Sequence, residues 1–150
     1  MLSPNLTHVR IVLHILSACI WIGGQFTLAA VVPVLRKHAD REATRAVARQ
    51  FQRVAWPAFA VLVITGFWNI AEIEVGDQSS AYLVTLLVKL FVVAISGVGA
   101  AVHALALGPS VAHAADEAAE RRRRARSGAA AGLGLLFAIV AALLGVMLGR

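Results

Sequence analysis

The sequence is poor in charged side chains and has a single cysteine. Only 15% of its 150 residues are charged and 59% are hydrophobic, whereas a soluble globular domain is about 25% charged. The lone Cys19 cannot form an internal disulfide, which excludes a disulfide scaffold. Because it lies in an apolar run, we expect Cys19 to be buried. The composition also excludes disorder and a collagen-like fibre, and it indicates a small membrane protein.

Several kinds of reactive site are missing as well. The chain has no cysteine pair and no His-x-x-x-His for zinc. It has no glycine-rich phosphate loop and no Gly-x-Ser-x-Gly hydrolase motif. Nothing in the sequence therefore supports a nucleophilic enzyme, and we do not expect enzymatic activity from its motifs.

Four apolar runs are long enough to cross a bilayer, which takes about 20 residues of helix. A lone strand would leave its backbone unpaired in lipid, so helices are expected. The prediction is an all-α, four-transmembrane-helix bundle forming a single domain over residues 1–150. Its spans are expected at about 11–35, 54–71, 82–108 and 127–149. The segment Asp40 to Gln52 should form a helix leading into the second span, with Pro57 near the first turn of that span.

The positive charges predict the orientation of the spans. Eleven of the fourteen basic residues lie in two loops, Arg36 to Arg53 and Arg121 to Arg126, and the loop between spans two and three carries only acidic charges. The positive-inside rule makes the two basic loops cytoplasmic and both termini extracytoplasmic. We expect Arg121 to Arg126 to contact anionic lipid headgroups rather than nucleic acid.

Small residues predict close helix packing. Gly128 and Gly132 are four residues apart, as are Gly145 and Gly149, and Ser96 to Ala101 is rich in small residues. Such residues let helix backbones approach closely in lipid. We expect them to pack the bundle, and a glycine face could also bind a second copy of the chain or other membrane helices.

Polar side chains within apolar spans are candidates for function because they are costly there. From the predicted orientation, His14, Asn69, Lys89 and Met147 share one layer near the extracytoplasmic side, with His8 just above it. Each polar member also has a structural alternative. His14 could simply hydrogen-bond a neighbouring carbonyl, and Asn69 could cap its helix.

Lys89 could snorkel to the outer surface or pair with Glu72 or Glu74. His103 lies outside this layer, because fourteen residues of helix place it about 21 Å beyond Lys89. It should therefore lie near the cytoplasmic side, where a structural role is an alternative to a functional one.

Four stretches resemble the copper resistance D (CopD) family. His14 to Gly24 is similar to that family's first helix, with a His followed by Trp-x-Gly-Gly, and Pro33 to Arg36 is similar to the Pro-x-Leu-Arg at the end of that helix. Thr65 to Asn69 resembles its Thr-Gly-x-x-Asn end of the second helix. Leu87 to Leu90 resembles its Val-Lys-Leu start of the third.

The resemblance implies a multi-pass protein of the bacterial inner membrane that binds or translocates copper. His14, Trp21, Asn69 and Lys89 match motif positions and are the binding residues it implies. His14 would then be a copper ligand at the extracytoplasmic mouth, joined by His8 or Met147. Imidazole and thioether groups both suit copper.

The same pattern resembles a second four-helix family, the HemJ-type protoporphyrinogen oxidases. There the resemblance implies haem b and a redox or porphyrin-oxidising function, with His14, Lys89 and His103 as binding residues. The predicted depths place His14 and His103 near opposite faces of the membrane, too far apart to ligate one iron. A haem would therefore have His14 as its single histidine ligand, or it would be shared between two subunits. A third alternative is a non-catalytic assembly or scaffold protein.

Overall fold

The computed structural model describes residues 5–106 and 117–149. Within these ranges the chain forms four α-helices and no strand. The helices are α1 (Leu6–His38), α2 (Arg41–Ala71), α3 (Ser80–Ala106) and α4 (Glu117–Leu148), with a short 3₁₀ turn at Val75–Asp77. All four are long and apolar enough to cross a membrane. The predicted all-α class with four transmembrane helices is confirmed, and the extracytoplasmic placement of both termini stays a prediction.

The helices extend beyond the predicted spans. The helix expected from Asp40 to Gln52 exists as the first part of α2, which continues without a break to Ala71. Pro57 therefore lies inside α2, and its expected place near a first turn is wrong. An apolar run marks only the hydrocarbon crossing, and the helical hydrogen bonds continue into the charged flank. The predicted end of the third span, at residues 107–108, lies outside the described residues.

A side-chain cap begins α2, and basic residues lie at the end of α1, on the two sides of the connection between these helices. Asp40 is the N-cap of α2, and its carboxylate accepts a 2.6 Å hydrogen bond from the backbone N–H of Ala43. The last turn of α1 carries three basic residues, which favour the negative end of the helix dipole: Arg36, Lys37 and His38. With only Ala39 and Asp40 between them, the two helices form a tight hairpin.

The chain divides into two compact units, Met1–Gln78 and Ser79–Arg150, and each holds one helix pair. In the first unit α1 packs on α2, and in the second α3 packs on α4. Alanines contribute to both interfaces, and such small side chains let the helix backbones approach closely. The buried apolar residues are Trp21, Ala55 and Ala58 in the first pair, and Val92, Ala138 and Ala141 in the second.

The packing of α3 on α4 uses the predicted small-residue cluster of α3, Ser96 to Ala101, but on α4 it uses Gly134, which was not predicted. Ser96 is fully buried, and its hydroxyl donates a 2.9 Å hydrogen bond to the carbonyl of Gly134. A Cβ at Gly99 would lie 3.7 Å from the Gly134 Cα. At Gly128 and Gly132, by contrast, a Cβ would meet no atom of the described residues within 4 Å, so these glycines do not form the contact of α4 with α3 there, and their role in packing the whole bundle stays a prediction. Their four-residue spacing does not tell which side of α4 meets α3.

Large apolar side chains are exposed on all four helices. Examples are Phe26 on α1, Ile64 on α2, Phe91 on α3 and Val146 on α4, each more than half exposed. Such a surface suits contact with lipid rather than water. Cys19 lies on this exposed surface of α1, so the expectation that it is buried is wrong. An apolar run in a membrane protein has no bias toward the interior, because lipid is as apolar as the core.

Candidate functional site

His14 lies on the face of α1 that packs against α2. Its Nδ1 is 2.9 Å from the hydroxyl of Thr65. Thr65 is buried, and its hydroxyl oxygen lies 2.7 Å from the carbonyl oxygen of Val61, one turn earlier in α2. His14 is therefore bonded to a side-chain hydroxyl that is itself held by a carbonyl of α2.

The contacts of Thr65 suit one tautomer of His14. With the imidazole hydrogen on Nδ1, the Thr65 hydroxyl donates to the Val61 carbonyl and accepts from His14, so both contacts are hydrogen bonds at once. In that tautomer the ring lone pair is on Nε2, the nitrogen through which the imidazole would coordinate a metal.

Gly66 provides room for the imidazole. A Cβ built at Gly66 would lie 3.4 Å from Cε1 of His14, so the ring packs directly against the backbone of α2. Both residues thus position the His14 side chain. Thr65 forms a hydrogen bond with it, and Gly66, which has no side chain, leaves room for the ring. Two stretches that the sequence singled out separately, around His14 and from Thr65 to Asn69, meet at this point.

An ion pair that includes a buried arginine lies one turn from His14 along α1. Arg10 is only 8% exposed, and its Nη1 is 3.2 Å from Oε1 of Glu72. The indole N–H of Trp68 donates to the same carboxylate oxygen at 3.1 Å. The guanidinium also lies over the Trp68 ring, 5.8 Å from its centroid, at a distance that allows a cation–π interaction. Glu72 is therefore held by two side chains at the end of α2.

Trp21 packs among aromatic rings. Its ring centroid is 4.4 Å from that of Phe59 and 5.8 Å from that of Trp56. It lies seven residues after His14, about 10 Å further along α1. Within this helix pair its contacts are those of a core residue, and its implied role in binding a cofactor stays a prediction.

The two glycines after Trp21 have different surroundings. A Cβ at Gly24 would overlap the ring of Phe51, whereas a Cβ at Gly23 would meet nothing. The Gly-Gly pair of the motif therefore contains one position at which α1 and α2 need a glycine. Its role is to let the helices approach, not to form a binding loop.

His8 is tied to the start of α1. Its Nδ1 accepts a 3.3 Å hydrogen bond from the backbone N–H of Asn5, and the Asn5 side chain accepts one from the N–H of His8. This capping box uses the Nδ1 lone pair, so the hydrogen of a neutral His8 is on Nε2. Coordination of a metal by His8 through either nitrogen would require this box to open or the ring to lose its Nε2 proton.

Asn69 lies in the last turn of α2, one turn after Thr65. The C-cap of α2 is Glu72, so the alternative that Asn69 caps the helix is wrong. Asn69 is half-buried. Its spacing of four from Thr65 places it on the same side of α2, between the levels of Thr65 and Glu72.

The other predicted residues belong to the second helix pair. The ammonium of Lys89 rests over Gly145, 3.1 Å from where a Cβ would be at that position. His103 is half-buried on the same unbroken helix, about 21 Å along the axis from Lys89, as predicted. Met147 is 65% exposed in the last turn of α4. The shared layer of His14, Asn69, Lys89 and Met147 draws on both pairs and stays a prediction.

The described residues contain no group of three or more His, Cys, Asp or Glu side chains that could hold a metal ion. A closed structural site of the zinc type needs such a set. The described part of the chain therefore shows no preformed cage of this kind.

The pairing of Arg10 with Glu72 is a feature that sequence reasoning did not find. The sequence suggested Lys89 as a partner of Glu72 and left Arg10 at the entrance of the first span. The short connection between α1 and α2 carries a signal that could have predicted this ion pair. Two antiparallel helices joined by two residues bring the start of α1 beside the end of α2, so Arg10 falls near Glu72.

A protein-family model described as CopD, copper resistance protein D, matches residues 45–147, more than half of the chain. The match includes most of α2, all of α3 and nearly all of α4. It begins after His14, so the first-helix resemblance stands on its own residues. No curated protein and no solved structure matches the chain.

Proposed function

This chain belongs to the copper resistance protein D family, and on that premise we propose that it binds copper as cargo and translocates it from the extracytoplasmic side of the bacterial inner membrane. His14 is the residue to which we assign the contact with the ion. Copper accepts imidazole nitrogen readily. The proposal is that of a membrane carrier or channel, not of an enzyme.

The observation that carries the proposal is the hydrogen bond between His14 and Thr65. A metal-ligating histidine almost always donates its other ring N–H to a fixed acceptor, which orients the ring. Thr65 supplies such an acceptor to Nδ1 at 2.9 Å. The pairing is the one expected of an imidazole prepared to coordinate through Nε2.

A single imidazole also fits the needs of transport. An ion that must cross a membrane has to bind well enough to enter a site and weakly enough to leave it. Further ligands would come from copper's own small-molecule partners or from His8, and we rank His8 lower because its capping box competes with coordination.

The test is copper binding by the full chain purified in mild detergent. Cu(I), kept reduced under anaerobic conditions, and Cu(II) are offered separately, and the metal content and visible spectrum are recorded together. We expect bound copper without a Soret band in the wild type, and loss of most of it in His14→Ala. His103→Ala is the matched control, because it removes a half-buried histidine from the other helix pair.

The spectrum also tests the alternatives. A Soret band after haem is offered, lost in His14→Ala, would favour the haem-binding hypothesis instead. Binding of neither copper nor haem would leave an assembly or scaffold role. Copper accumulation in bacterial cells that express the wild type or His14→Ala then separates binding from translocation, because a carrier changes cellular copper and a passive binder does not.

A further inference from the structure

Arg10 is a charged residue that the binding chemistry of His14 does not use. It lies in the apolar helix α1, is 8% exposed, and its Nε has no hydrogen-bond partner. Charged groups at such positions are costly and pair with one another. Among the described residues, the acidic group within salt-bridge distance of Arg10 is Glu72, at 3.2 Å. The neutrality of this part of the helix pair therefore depends on Glu72.

Glu72 is held where it can cancel that charge. Its Oε1 accepts from both the Arg10 guanidinium and the Trp68 indole N–H. The Glu72 side chain is 55% exposed, whereas that of Arg10 is 9% exposed. The pair thus joins a buried cation to a carboxylate that reaches the surface at the end of α2.

Arg10 and His14 are four residues apart on α1. They therefore lie on one face of the helix, separated by about 6 Å along its axis. Both also contact α2, Arg10 through Glu72 and His14 through Thr65. A guanidinium is always charged. A fixed positive charge at this distance from His14 repels any cation that approaches the imidazole.

We infer that Glu72 is a specificity-determining residue: by cancelling the charge of the buried Arg10, it keeps His14 accessible to cations. Without the carboxylate, the same pair of helices would present a net positive charge and would bind copper more weakly. Arg10 and Glu72 together then set the sign of the ion that the His14 site takes. This inference rests on the proposed function, in which copper contacts His14.

The test measures copper affinity in charge variants of the full chain in mild detergent. Glu72→Gln removes the compensating charge and should weaken Cu(I) binding about tenfold. Arg10→Gln leaves the carboxylate uncompensated and should strengthen binding instead. This variant removes the buried charge and leaves an exposed one, so it gives a usable result even where Glu72→Gln does not fold. The double variant should return to within about threefold of the wild type.

Ion charge separates electrostatics from a change in structure. The repulsion of a divalent ion is twice that of a monovalent ion. The fold-change caused by Glu72→Gln for Cu(II) should therefore be about the square of that for Cu(I). Glu74→Gln is the matched control, because Glu74 is an exposed carboxylate two residues away that forms no ion pair with Arg10. It should change neither affinity.

The outcomes are distinct. Three results together support the inference: weaker binding in Glu72→Gln, stronger binding in Arg10→Gln, and a fold-change for Cu(II) that is about the square of the fold-change for Cu(I). Equal fold-changes for both ions, or weaker binding in Arg10→Gln, would assign the pair a purely structural role and overturn it. If copper binding is lost in His14→Ala but the copper affinity is unchanged in both charge variants, this inference alone is overturned. Binding that does not depend on His14 overturns the proposed function together with it.

Discussion

The imidazole of His14 and the hydroxyl of Thr65 are joined by a 2.9 Å hydrogen bond across the first helix pair, although 51 residues separate them in the chain. The hydroxyl is in turn bonded to the carbonyl of Val61. The orientation of His14 is thus set by the backbone of α2 through one side chain. Any function of His14 should therefore depend on Thr65.

Thr65→Val keeps the shape of the side chain and removes the hydrogen-bond acceptor of His14. We expect copper affinity to fall about tenfold, as for other residues that orient a metal ligand. The variant also removes the hydrogen bond between the half-buried His14 and Thr65, so the free energy of unfolding should fall by about 0.5–1.5 kcal/mol. Isothermal titration with copper and thermal unfolding in detergent measure the two effects.

Thr65→Ser is the matched control, because it retains the hydroxyl. Its copper affinity should stay near that of the wild type. Equal copper binding by the valine and serine variants would show that the hydrogen bond does not prepare His14 for metal.

The contact of Gly24 with Phe51 predicts a second effect, on stability alone. Gly24→Ala places a methyl group inside the Phe51 ring volume, so α1 and α2 must shift apart or the ring must move. We expect a loss of about 1–3 kcal/mol in the free energy of unfolding. Gly23→Ala is the control, since a Cβ there meets nothing and alanine favours a helix by about 1 kcal/mol.

The coupling between the two residues can be measured directly. In a Phe51→Ala background the added cost of Gly24→Ala should vanish, because the overlapping ring is gone. A full cost in that background would place the strain elsewhere in the helix pair.

The helices were predictable because their signal is long and local. The sequence has four uncharged or nearly uncharged runs, each near the length of a bilayer crossing. In lipid such a run has to form a helix, because its backbone hydrogen bonds must be satisfied within the segment. The helix ends were less predictable. The charged segment before Pro57 continues α2 in the structure, and an apolar run carries no information on where such a flank stops being helical.

The contacts between helices could be predicted only in part. His14 was recognised as a polar residue in a span, but its partner depends on how α1 is rotated against α2. In a membrane the apolar face of a helix does not mark the interior, since exposed Phe26 and buried Trp21 are both hydrophobic. The same ambiguity explains why Gly132 was expected to pack and Gly134 does so instead.

The buried Ser96 makes a third prediction. Its hydroxyl donates to the Gly134 carbonyl across the α3–α4 interface. Ser96→Ala removes this bond and should lower the free energy of unfolding by about 0.6–1.5 kcal/mol. Ser96→Leu should cost more, because the side chain is less than 2% exposed and the helices would have to separate.

Thr85→Ala is the control for Ser96. Its hydroxyl bonds the carbonyl of Ala81 within its own helix, so its removal leaves the interface untouched. Thermal unfolding in detergent ranks the three variants. If Ser96→Ala is as stable as Thr85→Ala, the hydrogen bond between Ser96 and Gly134 does not stabilise the packing of α3 on α4.

Lys89 and Gly145 make the last prediction, which concerns the position of a charge. The Lys89 ammonium rests where a side chain at position 145 would be. Gly145→Leu should therefore displace it, and its reactivity toward an amine-modifying reagent should rise severalfold. Gly145→Ala should leave stability nearly unchanged, because the end of a lysine side chain shifts easily and alanine favours the helix by about 1 kcal/mol.

The chain provides its own reference for this measurement. Lys37 is the other lysine of the sequence and is exposed in the last turn of α1, so the ratio of Lys89 to Lys37 modification cancels differences in reagent and protein amount. Gly149→Leu is the matched control one turn later, where a Cβ would contact only its own helix. A ratio that rises equally in both leucine variants would mean that Lys89 responds to bulk on α4 in general. A rise in Gly145→Leu alone places the charge of Lys89 against that one glycine.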